Sequence, residues 1–157
     1  MEKHTENILR EIIKEELLKE SKNNIEVFLG GTKVDNNDWR DELISKLKIK
    51  FFNPIVKDWN EKAQELEIKK RNSCDFVLYI ITPQMTGVYS IAEVVDDSNK
   101  RPEKTLFCVL EKYNKEKFEK SQIKSLDMVK NMVKDNGGKV FDDLDEISTF
   151  LNNFKKK

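Results

Sequence analysis

One carboxylate in this chain falls where chemistry could be done. The stretch Thr82-Pro83-Gln84-Met85-Thr86-Gly87-Val88-Tyr89-Ser90-Ile91-Ala92-Glu93 directly follows the apolar run at 76–81. That order reads as a buried strand emptying into a Pro/Gly turn, then a helix with Glu93 about one turn inside it. Ligands of open α/β sheets lie in the crevice at the carboxyl ends of the strands, so Glu93 is expected to hang over a bound small molecule. Ile91, Ala92, Val94 and Val95 surround it. Burial among such side chains raises a carboxyl pKa, and a crevice gives the group a role. The plain alternative is a solvated helix position, since Ile91, Val94 and Val95 can fill the buried face without it. The only histidine, His4, lies in the N-terminal extension, which argues against Ser-His-Asp and Cys-His catalysis and leaves carboxylates to do any enzymatic work.

Other residues could serve the same crevice. Gly30-Gly31-Thr32 closes the first predicted strand, where glycine lets a ligand approach the backbone and free amides can hold phosphate. A tight turn between strand and helix explains it equally well, and the spacing matches neither a dinucleotide fingerprint nor a P-loop. Met85-Thr86-Gly87 reads as a ligand-contacting loop, with the hydroxyls of Thr86 and Ser90 near a helix N-terminus that favours an anion; a simple helix cap is the default for either hydroxyl. Asp75 opens the central strand and is a weaker candidate, because it sits at the amino end of that strand. Trp39, Asp58 and Trp59 follow the first two strands and could line the crevice, an aromatic wall suiting a flat base, with core packing the stronger reading for Trp39. Asp96 and Asp97 are expected to pair with Lys100 and Arg101. Cys74 and Cys108 match no metal spacing and read as buried, reduced thiols.

The elements that must position these groups are short and alternate. Lys+Arg and Asp+Glu number 29 each in 157 residues, which fits one domain and gives no general attraction to nucleic acid or a membrane surface. No apolar run approaches the roughly 20 residues that span a bilayer, and the charged start lacks a signal region; a cytoplasmic protein is expected. The run 155–157 reads as a solvated tail. Residues 1–22 form an amphipathic helical extension, with Leu9, Ile12, Ile13, Leu17 and Leu18 on one side of a helix over 6–20. Residues 23–157 form the α/β domain. Its strands are predicted at 25–29, 50–52, 76–81, 105–110 and 139–141. Its helices are predicted at 39–47 (capped by Asn37 or Asp38), 59–72 (with Ala63, Leu66 and Ile68 inward), 89–98, 117–134 and 145–154. Asn53-Pro54 breaks the second strand. Alternating strands and helices predict a flavodoxin-like open parallel five-stranded sheet, order 2-1-3-4-5, with helices on both faces. The switch point then lies between the first and third strands, with Gly30-Gly31-Thr32 and the stretch from Thr82 to Glu93 on one side of it.

The series Val27-Phe28-Leu29-Gly30-Gly31-Thr32, then Asn53-Pro54, Cys74-Asp75 and Thr86-Gly87-Val88-Tyr89-Ser90-Ile91-Ala92-Glu93 resembles the nucleoside 2-deoxyribosyltransferase-like superfamily over about residues 25–110. The likeness is specific in order and spacing rather than in one motif. It implies the same flavodoxin-like sheet, and a glutamate nucleophile, by position Glu93, that attacks C1′ of the deoxyribose to form a glycosyl-enzyme ester. It further implies that Asp75 contacts the base and is a candidate proton donor, and that Gly30-Gly31-Thr32 belongs to the pocket. Three departures stand out. Gly87 replaces the aspartate that the transferases carry about six residues before the nucleophile, with Tyr89 or Ser90 as stand-ins; Val27 replaces a first-strand aromatic; and Ser90 alone represents the serines with which related hydrolases hold a 5′-phosphate.

The resulting expectation is cleavage or transfer of the N-glycosidic bond of a 2′-deoxynucleoside or its 5′-monophosphate through Glu93 and Asp75. Gly30, Gly31, Thr32, Asn53, Trp59, Met85, Thr86, Gly87, Tyr89 and Ser90 are expected to bind substrate. No metal or other cofactor is called for, and a homodimer or larger assembly is implied by the resemblance. A non-catalytic nucleotide-binding module, a sensor or regulatory subunit, would use the same crevice.

Overall fold

Apolar residues on both sides of a strand demand cover on both sides, and the sheet satisfies this. The computed structural model describes residues 24–58 and 60–156, together with Arg10 and Ile13. Strands β1 (Glu26–Gly31), β2 (Lys50–Phe52), β3 (Phe76–Ile81), β4 (Thr105–Val109) and, later in the chain, β7 (Lys139–Phe141) form one sheet in the order β2-β1-β3-β4-β7. All four pairings are parallel, with Leu29 opposite Leu78 and Tyr79 opposite Phe107. This is the flavodoxin-like order that the alternation predicts. The extra pair, β5 (Lys112–Tyr113) and β6 (Glu116–Lys117), is an antiparallel hairpin outside the sheet.

Five helices, α1 (Trp39–Lys46), α2 (Glu61–Ser73), α3 (Tyr89–Lys100), α4 (Lys120–Asp135) and α5 (Leu144–Asn153), are described. Alternate strand residues feed two cores. Val27, Leu29, Leu78, Ile80, Leu106 and Cys108 pack with Trp39 and Leu43 of α1 and with Ile147 and Leu151 of α5. On the other face Val77, Tyr79, Ile81 and Phe107 pack with Val94 of α3 and with Leu126 and Val133 of α4. Trp39 is fully buried, so it serves the core rather than a ligand. Side-chain caps start three helices where the sequence offers a short polar residue. Asp38 accepts from Arg40 N–H at 2.9 Å, Asn60 from Ala63 N–H at 2.9 Å and Asp143 from Glu146 N–H at 2.8 Å.

Several expectations need correction. Helix α4 begins at Lys120 rather than at 117, because Lys117 pairs with Lys112 in the hairpin. Leu66 and Ile68 of α2 are 47% and 55% exposed, and no residue of that helix is buried. Its half-buried residues, Ala63, Glu67, Lys70 and Arg71, form a stripe at helical spacing, and Leu66 and Ile68 lie about 100° to either side of Glu67. Lys156 does not trail into solvent: its Nζ lies 2.8 Å from Asp75 Oδ1 and donates to Asn24 O. The helix expected over 6–20 lies outside the described residues except for Arg10 and Ile13, both helical, as do His4 and Trp59. Among the described residues no helix is long and apolar enough to cross a membrane.

Candidate active site

The chain passes from β1 to one side for β2 and returns to the other side for β3, so the carboxyl ends of β1 and β3 open a crevice between their following loops. A cleft of about 330 Å³ occupies it. Gly30 and Gly31 form its floor, Pro54, Ile55 and Val56 come from the loop after β2, and Tyr89, Ser90 and Glu93 come from α3. Lys33, Arg40 and Glu67 supply further charge.

The glycine turn is fixed from behind. Gly31 has φ +115°, and a Cβ there would collide with the Ile80 backbone. Thr32 donates its N–H to Ile80 O and accepts from Thr82 N–H on Oγ1, locking the ends of β1 and β3 together. Arg40, 1% exposed, spans the turn. Its Nε donates to Leu29 O at 3.0 Å, Nη1 to Thr32 O at 3.0 Å and Nη2 to Gly31 O at 3.2 Å, with Asp38 as its ion-pair partner at 3.2 Å. Burial lowers the Arg40 pKa, and Asp38 opposes that shift. Gly31→Ala is therefore expected to cost several kcal/mol, by left-handed strain and by collision with β3 backbone, which urea unfolding would register as a lower midpoint.

Glu93 projects from α3 into the cleft with its side chain 15% exposed, and Arg71 Nη1 at the end of α2 lies 3.1 Å from its Oε1. Burial raises the Glu93 pKa; Arg71 pulls it down, while Glu67 and Asp97 push it up. Arg71 also reaches Asp97 Oδ2 at 3.1 Å through Nε. Asp97 is completely buried and takes bonds from Tyr79 OH at 2.5 Å and from Arg101 at 2.8 Å. Burial alone would raise its pKa, but the bonds from Tyr79, Arg71 and Arg101 outweigh that and hold it low. The pairs expected of the helix end, Asp96 with Lys100 at 2.9 Å and Asp97 with Arg101, are present, and Asp97 additionally anchors the base of Arg71.

The remaining predicted residues scatter. Asp75 lies at the amino end of β3, where Oδ2 accepts from Glu26 N–H at 2.9 Å and Oδ1 meets Lys156; it does not line the cleft. Asn53 accepts from Ile55 N–H at 3.1 Å and so shapes the loop after β2. Met85 turns away, into an apolar groove of about 870 Å³ between α3 and α4 that it shares with Val88, Ile91 and Phe118. Thr86 and Gly87 are exposed and border neither hollow. Neither Thr86 nor Ser90 caps α3: the cap position is Val88, which offers no side-chain bond. While Ile91 and Ala92 donate their N–H groups to Val88 O, the amides of Tyr89 and Ser90 have no side-chain cap beside the cleft. Asp58 is exposed. Cys74 and Cys108 are buried free thiols, their pKa pushed up to about 12 by burial.

Lys33, Arg40, Glu67 and Arg71 are the charged site residues that the sequence reading missed. A signal existed for Glu67 and Arg71: together with Ala63 they recur every four residues and share one face of α2. The sheet order, the crevice at the switch point and the carboxylate above it agree with one family. A profile described as nucleoside 2-deoxyribosyltransferase like matches residues 24–113, which run from the start of β1 through β5 and hold the whole cleft. No curated protein sequence matches the chain. The profile covers more than half of the 157 residues, and the chain belongs to the nucleoside 2-deoxyribosyltransferase-like family.

Proposed function

We propose that the protein cleaves or transfers the N-glycosidic bond of a 2′-deoxynucleoside or its 5′-monophosphate, with Glu93 as the nucleophile. The observation that carries this reading is the position of Glu93: a half-buried carboxylate over the cleft at the carboxyl ends of β1 and β3, with an arginine on one oxygen. Attack by Glu93 on C1′ gives a glycosyl ester and releases the base; a second base or water then takes the sugar from the ester. Arg71 favours the charged form of Glu93 against the burial that disfavours it and fixes one oxygen, which leaves the other to face C1′. The uncapped Tyr89 and Ser90 amides at the start of α3, with Lys33 also lining the cleft, suit a 5′-phosphate.

The test is to incubate the protein with each 2′-deoxynucleoside and its 5′-monophosphate, with and without a second free base, and to separate the products by chromatography. Free base alone marks a hydrolase, and a new nucleoside that appears only with the second base marks a transferase. The 5′-monophosphates are expected to react at lower concentration than the nucleosides. If no base is released and the ligands only raise the melting temperature, the enzymatic reading fails and a binding module takes its place.

A further inference from the structure

We propose that Glu67, on α2, is the proton carrier of this cleft: it protonates the departing base and then takes the proton of the incoming water or acceptor base. The proposal rests on the glycosidic reading above and adds a second catalytic residue to it. Cleaving an N-glycosidic bond leaves negative charge on a ring nitrogen, and a positioned acid that neutralises it contributes typically 10²–10⁴-fold. Asp75 cannot meet that need from the amino end of β3, where Glu26 N–H and Lys156 engage it. Among the described residues the cleft is lined by two carboxylates, Glu93 and Glu67.

Their surroundings divide the work. Arg71 makes its contact with Glu93 at 3.1 Å and lies one helical turn beyond Glu67 on the same stripe of α2. No hydrogen bond among the described residues takes up the Glu67 carboxyl. The charged groups around the pair are Arg71 on α2, Asp97 beneath Glu93 on α3, and Lys33 and Arg40 on the far wall. Burial raises the pKa of Glu67, with Arg71 opposing, and a charged Glu67 would make Glu93 harder to ionise. The ion-pair contact with Arg71 belongs to Glu93 and not to Glu67. On that geometry the acid in contact with arginine is the one assigned to ionise first and act as nucleophile, the other to keep its proton and act as acid.

In the first step an oxygen of Glu93 bonds to C1′. The bond from C1′ to the base nitrogen breaks, its electron pair goes to the base, and the Glu67 proton moves to the base. In the second step the oxygen of water, or the nitrogen of a second base, bonds to C1′. The ester C1′–O bond breaks with its pair returning to Glu93, and the acceptor's proton passes to Glu67, restoring both groups.

Glu67→Gln tests this against a 2′-deoxynucleoside 5′-monophosphate and against 4-nitrophenyl 2-deoxyriboside, whose phenolate leaves without a proton. The expected result is a loss of about 10²–10⁴-fold in base release, a bond-breaking rate on the aryl riboside within a few-fold of wild type, and loss of the alkaline limb of the pH profile. Equal losses on both substrates, or none on either, would overturn the proposal. Carbon NMR titration of the glutamate carboxyls adds a readout that needs no turnover. Because Glu67 is neutral while Glu93 ionises, Glu93 in Glu67→Gln should titrate at nearly the same pH as in wild type; a Glu93 that titrates at clearly lower pH, the mark of a Glu67 that ionises first, would also overturn it. A wild type that releases neither base nor phenolate sinks the glycosidic reading and the proton role together; an active wild type with an indifferent Glu67→Gln sinks the role alone.

Discussion

Replacing Glu93 with glutamine is expected to lower base release at least about a thousandfold, the scale on which losing a nucleophile is felt, while leaving the fold intact. Glutamine has the shape of the protonated acid and can still accept a bond from Arg71, so no cavity opens in α3. The same variant should melt at a higher temperature than wild type at neutral pH. Burial holds the Glu93 pKa above its ordinary value, so ionising it costs the native state more than the unfolded chain. Wild type thus has its full share of stability from this group below the ordinary glutamate pKa of about 4.3 and loses it as pH rises through the higher folded value. Glutamine does not titrate. The gap in melting temperature between variant and wild type should widen from pH 4 to pH 7, as calorimetry across that range would record. A gap that closed with rising pH would mean that Arg71 outweighs burial at this site.

The second large effect is structural. Asp97→Ala removes the carboxylate on which Tyr79 OH, Arg71 and Arg101 converge inside the sheet–helix interface. Breaking a buried pair from one side typically costs about 3–5 kcal/mol, because the partner charges stay behind without compensation. Here a phenol and two guanidinium groups would lose it at once. Urea unfolding should show a midpoint shift of that size. Asp97→Asn, which keeps an acceptor for Tyr79, should lose less. If both substitutions cost under about 1 kcal/mol, water must replace the carboxylate and the cluster is not sealed as its burial indicates.

Much of this architecture was legible in the chain. Strands at 50–52, 76–81 and 139–141 fall where apolar runs are fenced by Asn-Pro, Cys-Asp and Gly-Gly, since strand limits follow burial and backbone-breaking residues. The hairpin of β5 and β6 escaped because strands of two residues carry no period; only Asn114, at φ +53°, marks the turn between them. The face of α2 was misread because an apolar residue on a helix normally points inward, whereas Leu66 and Ile68 flank a stripe whose partners are charged. Glu93 could be placed over the cleft from its distance to the end of β3. Its contact with Arg71 could not, because a pair of long side chains between two helices leaves no local pattern. Arg40 was hidden for a similar reason: beyond its neighbour Asp38, its partners are the backbone carbonyls of Leu29, Gly31 and Thr32, which look alike in every sequence.

Helix α2 carries Glu67 to the cleft and Arg71 to Glu93, yet contributes no buried residue to either core. Its ties to the domain are polar: Arg71 to Glu93 and Asp97, Lys70 to Glu26 at 2.8 Å, and Arg101 to Asn72 at 2.8 Å. The sheet coheres through the hydrophobic effect, which salt does not weaken, but the exposed part of these ties is screened over a Debye length of about 8 Å at physiological ionic strength and about 3 Å at 1 M. High salt is expected to weaken the more exposed Lys70–Glu26 tie of α2, while the Arg71–Asp97 bridge, buried and screened much less, still holds that wall of the cleft to the domain.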